Sequence, residues 1–140
     1  MHAKILKKVS LWLPVVIWGL IIFNLSGHKL VAASPEYWKD FIFKKSAHLF
    51  FYGIFAVLFY RALRGEGAER INSAYLAILL AFIYGATDEF HQSFVMGREP
   101  TVRDLLIDTA GAGIASFLLY YLLPKCPKEV KHYLNKLGLN

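Results

Sequence analysis

Three short stretches of the chain hold ionisable side chains at spacings that place them on common helical faces. Lys45, His48 and Tyr52 follow i, i+3, i+7 spacing and share an arc of about 60° at about 100° per residue. His91, Asp88, Gln92 and Glu89 cover about 160° of a helix, with Phe90 on the opposite side. Thr101-Val102-Arg103-Asp104 has the form of a capping box, with Thr101 as N-cap and Asp104 expected to reach back to its backbone. Asp104, Asp108, Gly111 and Ala115 then recur along one face, and the small residues at 111 and 115 let a neighbouring helix approach, so the acidic stripe is expected to face a bundle interior. With Arg98 and Arg103 these groups make a nearly charge-balanced cluster. Lysine and arginine can hold phosphate or carboxylate, arginine through paired donors in a planar fork. His48 or His91 beside Asp88 or Glu89 is the pairing of a general acid–base catalyst. Mutual ion pairing that keeps helices in register is the alternative, and it needs no ligand.

Neither His-Glu-x-x-His nor a nucleophile elbow occurs. His48, Glu89, His91 and Asp108 match no standard metal spacing, so no metal site is expected, and the sequence names no cofactor. Cys126 is the single cysteine, which leaves no intramolecular disulfide and no cysteine cluster.

The elements that must position these groups follow from composition. The 140 residues are 56% hydrophobic and 16% aromatic, with a mean hydropathy of +0.42, and only 19% are charged, against about 25% in a soluble domain. Disorder is excluded and a soluble fold is disfavoured. The net charge of +6 does not point to nucleic acid, because the basic residues flank long apolar runs. Membrane lipids are the expected partner. Four segments, 9–25, 46–60, 71–87 and 105–123, are long and apolar enough to cross most of a hydrocarbon core about 30 Å thick. The start, Lys4, Lys7 and Lys8 before an apolar run, resembles a signal peptide but lacks a small-x-small cleavage site, and is taken as an uncleaved first span. The expectation is one domain over residues 1–140, an all-α integral membrane four-helix bundle with short interfacial helices.

Two interfacial helices are expected. Ser34-Pro35-Glu36 reads as N-cap, first-turn proline and first-turn acid before Tyr37, Trp38, Phe41 and Ile42 on one face. Val130, Tyr133, Leu134 and Leu137 recur among Lys128, Lys131, His132 and Lys136, which suits either a basic helix on anionic lipid or a solvated tail helix. Lys4, Lys7, Lys8, Arg61, Arg64, Arg70, Lys125, Lys128, Lys131 and Lys136 fall on one side of the spans, ten of the sixteen lysines and arginines. By the positive-inside rule both termini are then cytoplasmic and the polar cluster lies near the outer leaflet of a bacterial cytoplasmic membrane.

At these residues the sequence resembles the VanZ-like family of small bacterial membrane proteins. The stretches that carry the resemblance are Lys44-Lys45-Ser46-Ala47-His48-Leu49-Phe50-Phe51-Tyr52, the block from Tyr84 through Asp88-Glu89-Phe90-His91-Gln92 to Arg98, the continuation from Asp104 to Gly111, and Phe23-Asn24-Leu25-Ser26. Met96 stands where that family commonly has proline, and Asp108 where asparagine is expected. The second departure adds a negative charge and bears on which ligand is accepted. The resemblance implies an envelope role, linked through the eponymous member to resistance against the glycopeptide teicoplanin. Three functions are open. One is an outer-leaflet protein binding or modulating a lipid-linked cell-wall precursor, a glycopeptide or another amphiphile through Lys45, His48, Tyr52, Asp88, Glu89, His91, Gln92, Arg98, Arg103, Asp104 and Asp108. The second is a membrane-embedded hydrolase or transferase on a phospholipid-like substrate, with His48, Asp88, Glu89 and His91 as candidate catalytic groups. The third is a transport element or helper subunit, for which a homo-oligomer would have to complete a pathway.

Overall fold

The computed structural model describes residues 2–28, 35–98 and 100–139. Helices α1 (His2–Ser26), α2 (Tyr37–Gly65), α3 (Arg70–Gln92) and α4 (Val102–Tyr121) run alternately up and down, followed by a 3-10 turn (Leu123–Lys125) and α5 (Lys128–Lys136). Among the described residues four helices are long and apolar enough to cross a membrane, and no more than 33% of the most apolar stretch of each is buried inside the bundle. The remainder carries exposed Leu20, Phe50, Ile83, Ile114 and Phe117. In water so much apolar surface would drive aggregation, whereas lipid tails solvate it.

The interior is packed by unequal partners. Helix α2 supplies Tyr52, Phe55, Phe59 and Tyr60, while α3 offers Ala74, Ala77 and Ala81 and α4 offers Gly111, Ala112 and Ser116. Large side chains on one helix fill the space left by small ones on the others, and α2 and α4 pack most extensively. Helix α1 is tied on by side-chain bonds to backbone. Trp18 Nε1 donates to Phe51 O at 2.9 Å, and Tyr84 Oη donates to Gly19 O at 2.6 Å.

Pro14 lies inside α1 without ending it. Proline has no N–H, so the carbonyl of Ser10 loses its intrahelical partner. Arg61 Nη1 donates to that carbonyl at 3.2 Å, and Arg61 Nε donates to Leu137 O at 2.7 Å, so one guanidinium joins α1, α2 and the end of α5.

The helices outrun the apolar segments at their ends. In particular, among the described residues no separate interfacial helix precedes the second span: Tyr37, Trp38, Phe41 and Ile42 form the first turns of α2 itself. Glu36 occupies the N-cap, Pro35 precedes the helix, and Ser34 lies outside the described residues. The physical reason is that Lys44 pairs with Asp40 at 2.6 Å in i,i+4 spacing, so charge does not interrupt the helix. Helix α5 forms where expected. Leu134 and the following Leu139 pack onto the bundle, while Tyr133 and Leu137 are exposed.

Candidate functional site

The C-terminal ends of α1 and α3 and the N-terminal ends of α2 and α4 meet at one end of the bundle, and the ionisable residues meet there. Asp88 is held from two helices: Ser26 Oγ donates to Oδ1 at 2.5 Å and Gln92 Nε2 to Oδ2 at 2.9 Å. His48 Nδ1 lies 2.9 Å from Oδ1 of Asp108, which is 1% exposed. A carboxylate at Nδ1 accepts a ring proton there, which in the neutral imidazole leaves the lone pair on Nε2. Lys45 Nζ reaches Asp104 Oδ1 at 2.5 Å.

The capping box forms by half. Thr101 Oγ1 accepts from the Asp104 N–H at 3.2 Å, but Asp104 does not reach back. Glu89 Oε2 accepts from the Thr101 N–H at 2.8 Å instead. A carboxylate from the end of α3 thus satisfies the start of α4, and Asp104 is left to pair with Lys45.

Arg98 follows the turn after α3. Its Nε donates to His28 O at 3.0 Å and its Nη2 to Leu25 O at 2.9 Å, which neutralises the exposed carbonyls at the end of α1. Partial burial lowers its pKa, opposed by Asp88, Glu89 and Asp104, and a guanidinium so placed stays cationic at physiological pH. His91 stacks on Phe23 with ring centroids 4.2 Å apart. Arg103 is exposed and sits over the Phe41 ring at 5.0 Å. Met96 is exposed in the turn that Gly97 closes at a φ of +85°.

A cavity of about 250 Å³ opens beside this network. Of the residues singled out by spacing, His48, Tyr52, Asp88, Gln92 and Arg98 line it. Lys45, Glu89, Asp104 and Asp108 do not: Lys45 pairs with Asp104, Glu89 accepts from backbone, and Asp108 pairs with the cavity-lining His48. His91 and Arg103 also lie outside the lining. Spacing missed Ser26, Lys44 and the apolar wall of Ile22, Phe43, Ala47 and Phe51. Lys44 had a legible signal in its i,i+4 acid, Asp40. Ser26 was marked by the Phe23-Asn24-Leu25-Ser26 stretch of the family resemblance but not by spacing, because its partner lies 62 residues away. Leu25 of α1 and Phe43 of α2, both in the lining, are 50% and 64% exposed, so apolar side chains of these two helices border the cavity where it is open.

Tyr52 Oη, Glu89 Oε1, His91 Nδ1 and Asp108 Oδ2 are buried with no hydrogen-bond partner among the described residues. Away from the cavity, Phe55, Ala56, Tyr60 and Ala77 close the interior, each 2% exposed or less. His48, Glu89, His91 and Asp108 do not converge on a point, and among the described residues no three His, Cys, Asp or Glu side chains are placed to hold a metal ion.

A family model described as VanZ/LLP1 matches residues 4–124, from α1 through the 3-10 turn. No curated protein and no solved structure gives a match.

Proposed function

The chain belongs to the VanZ/LLP1 family, and from that premise we propose that it binds a lipid-linked or amphiphilic ligand at the outer leaflet of the bacterial cytoplasmic membrane. The observation that carries this reading is the cavity and its mixed lining. Ser26, His48, Asp88, Gln92 and Arg98 suit a polar headgroup, and Ile22, Phe43 and Phe51 suit an apolar chain. A lipid-exposed mouth suits a ligand that arrives through the bilayer, and few convergent polar groups in an apolar pocket are the usual make-up of a binding site. Lys44 and Arg98 are the cations of the lining, so a headgroup bearing phosphate or carboxylate is favoured. A lipid-linked cell-wall precursor and a glycopeptide such as teicoplanin are the candidate ligands that the family resemblance suggests.

Filling the cavity tests this reading without cutting the polar network. Ala47→Phe puts a ring into the lumen from a half-buried position. Native mass spectrometry of the purified protein with bacterial envelope lipids should show an adduct on wild type and about a tenfold lower yield on Ala47→Phe. Equal retention by both proteins overturns the proposal.

The His48–Asp108 pair favours a second reading, a membrane-embedded hydrolase or transferase on a phospholipid-like substrate. A carboxylate-oriented imidazole in a cavity wall is placed to take a proton from water or a hydroxyl as it attacks. In the same experiment a product mass made by wild type and absent with His48→Gln selects catalysis.

The orientation is testable separately. Ser93 is exposed in the turn after α3. With Cys126→Ser as background, a Ser93→Cys thiol should react with a membrane-impermeant maleimide in intact cells. Reaction only after lysis would place both termini outside.

A further inference from the structure

At the opposite end of the bundle, about 27 Å along α3 from Asp88 at 1.5 Å per residue, the fold-back of α5 encloses a second cavity of about 160 Å³. Arg70, at the start of α3, lines it together with Lys131 and Asn135 of α5 and with Leu123, Leu134 and Leu139. The cavity is built, because both Arg70 and α5 are held in place. Arg70 Nη2 donates to Tyr120 O at 2.7 Å and to Leu119 O at 3.4 Å, and the guanidinium lies 5.7 Å from the Tyr120 ring. Helix α5 is anchored by the Arg61–Leu137 bond and by Leu139, which is buried beyond Gly138 in its left-handed conformation at a φ of +77°.

Arg70 Nε is buried with no hydrogen-bond partner among the described residues. A buried cationic donor without an acceptor is costly, and the lining offers it none of opposite charge. Glu69 and Glu129, the acids nearest in sequence, are exposed and do not line the cavity.

We propose that this cavity binds a phosphate-bearing anion, held by the Arg70 guanidinium, the Lys131 ammonium and the Asn135 amide. A planar fork facing a point charge is a common way to hold phosphate oxygens. The leucines of the lining suit the glycerol and first methylenes of an anionic phospholipid, and Lys125 and Lys136 nearby would concentrate such lipids at this end. Four of the seven lining residues lie beyond residue 124, outside the stretch that carries the family match. The proposal does not depend on the reading of the other cavity.

The test uses the full chain with Ala47→Phe, so that the first cavity does not contribute, in detergent with equal phosphatidylglycerol and phosphatidylcholine. Native mass spectrometry should show one phosphatidylglycerol retained per chain under activation that strips phosphatidylcholine. Lys131→Gln should cut that retention about fivefold, the effect of one basic residue near an anionic headgroup. Lys128→Gln, exposed and outside the lining, should leave it unchanged. Arg70→Gln should abolish it but also frees the carbonyls ending α4, so Lys131→Gln is the deciding variant. Displacement of the lipid by millimolar inorganic phosphate identifies a free anion as the ligand, and retention in its presence identifies the lipid headgroup. Equal loss from Lys131→Gln and Lys128→Gln, or no preference for phosphatidylglycerol together with no phosphate adduct, overturns the proposal.

Discussion

Gly111→Ala is expected to break the packing of α2 against α4 at a cost of about 3 kcal/mol, the upper part of the range for overpacked sites. A Cβ at 111 would lie 2.3 Å from the carbonyl oxygen of Leu49 and 3.0 Å from its carbonyl carbon and Cα. These are backbone atoms of α2, so no side chain can rotate to make room and the two helices must separate. Separation at this level also pulls His48 from Asp108 and Lys45 from Asp104, because both pairs bridge the same two helices. Two nearby glycines serve as controls. A Cβ at Gly53 would meet Gly111 O at an ordinary 3.5 Å, and at Gly113 it would meet nothing within 4 Å. Gly113→Ala should be neutral or gain up to about 1 kcal/mol from helix propensity. Melting in detergent, followed by circular dichroism, should place Gly111→Ala far below wild type and Gly113→Ala at or above it. Coincident melting of the two variants would show that the close approach is not needed.

That close approach was legible in the sequence, and its neighbours show where legibility stops. Small residues at 111 and 115 on the same face as two acids let another helix approach closely, so the face could be assigned to the interior before its partner was known. Lys45, His48 and Asp88 were found by the same arithmetic. Sequence spacing does not say which acid serves which base, because the partners come from segments some 60 residues apart. The capping box illustrates this: Asp104 had the right offset, but Glu89 reached the Thr101 N–H first, and Lys45 took Asp104. Helix ends were misplaced for a different reason. An apolar run stops at the first charge, whereas a helix stops when its backbone bonds stop, and Lys44 paired to Asp40 lets α2 continue two turns further out. Arg61 bonding the carbonyl that Pro14 strands is likewise invisible to periodicity, since it depends on three helices meeting.

Lys45→Met is expected to cost about 3 kcal/mol, the low end of the range for removing one partner of a buried pair. The side chains of Lys45 and Asp104 are 19% and 12% exposed, so the carboxylate left behind is poorly solvated. Arg103 is no substitute, because its Nε is 3.9 Å from Asp104 and its side chain lies mostly in the open. Asp104→Leu together with Lys45→Met removes both charges and keeps the Asp104 backbone bond to Thr101 Oγ1, a main-chain donor that survives the change. The double variant should therefore recover most of the loss, short of about 0.5 kcal/mol for a first-turn acid at a helix N-terminus. A double-mutant cycle on melting in detergent reads the coupling, expected at about 2 kcal/mol. A double variant less stable than either single one would sink the idea that the pair acts chiefly on register. The cycle also separates two roles within the polar cluster. Neither Lys45 nor Asp104 lines the cavity, so lipid adducts per folded molecule should be unchanged in the double variant while Ala47→Phe loses them. The same lipid measurement thus distinguishes ion pairs that align helices from side chains that meet a ligand.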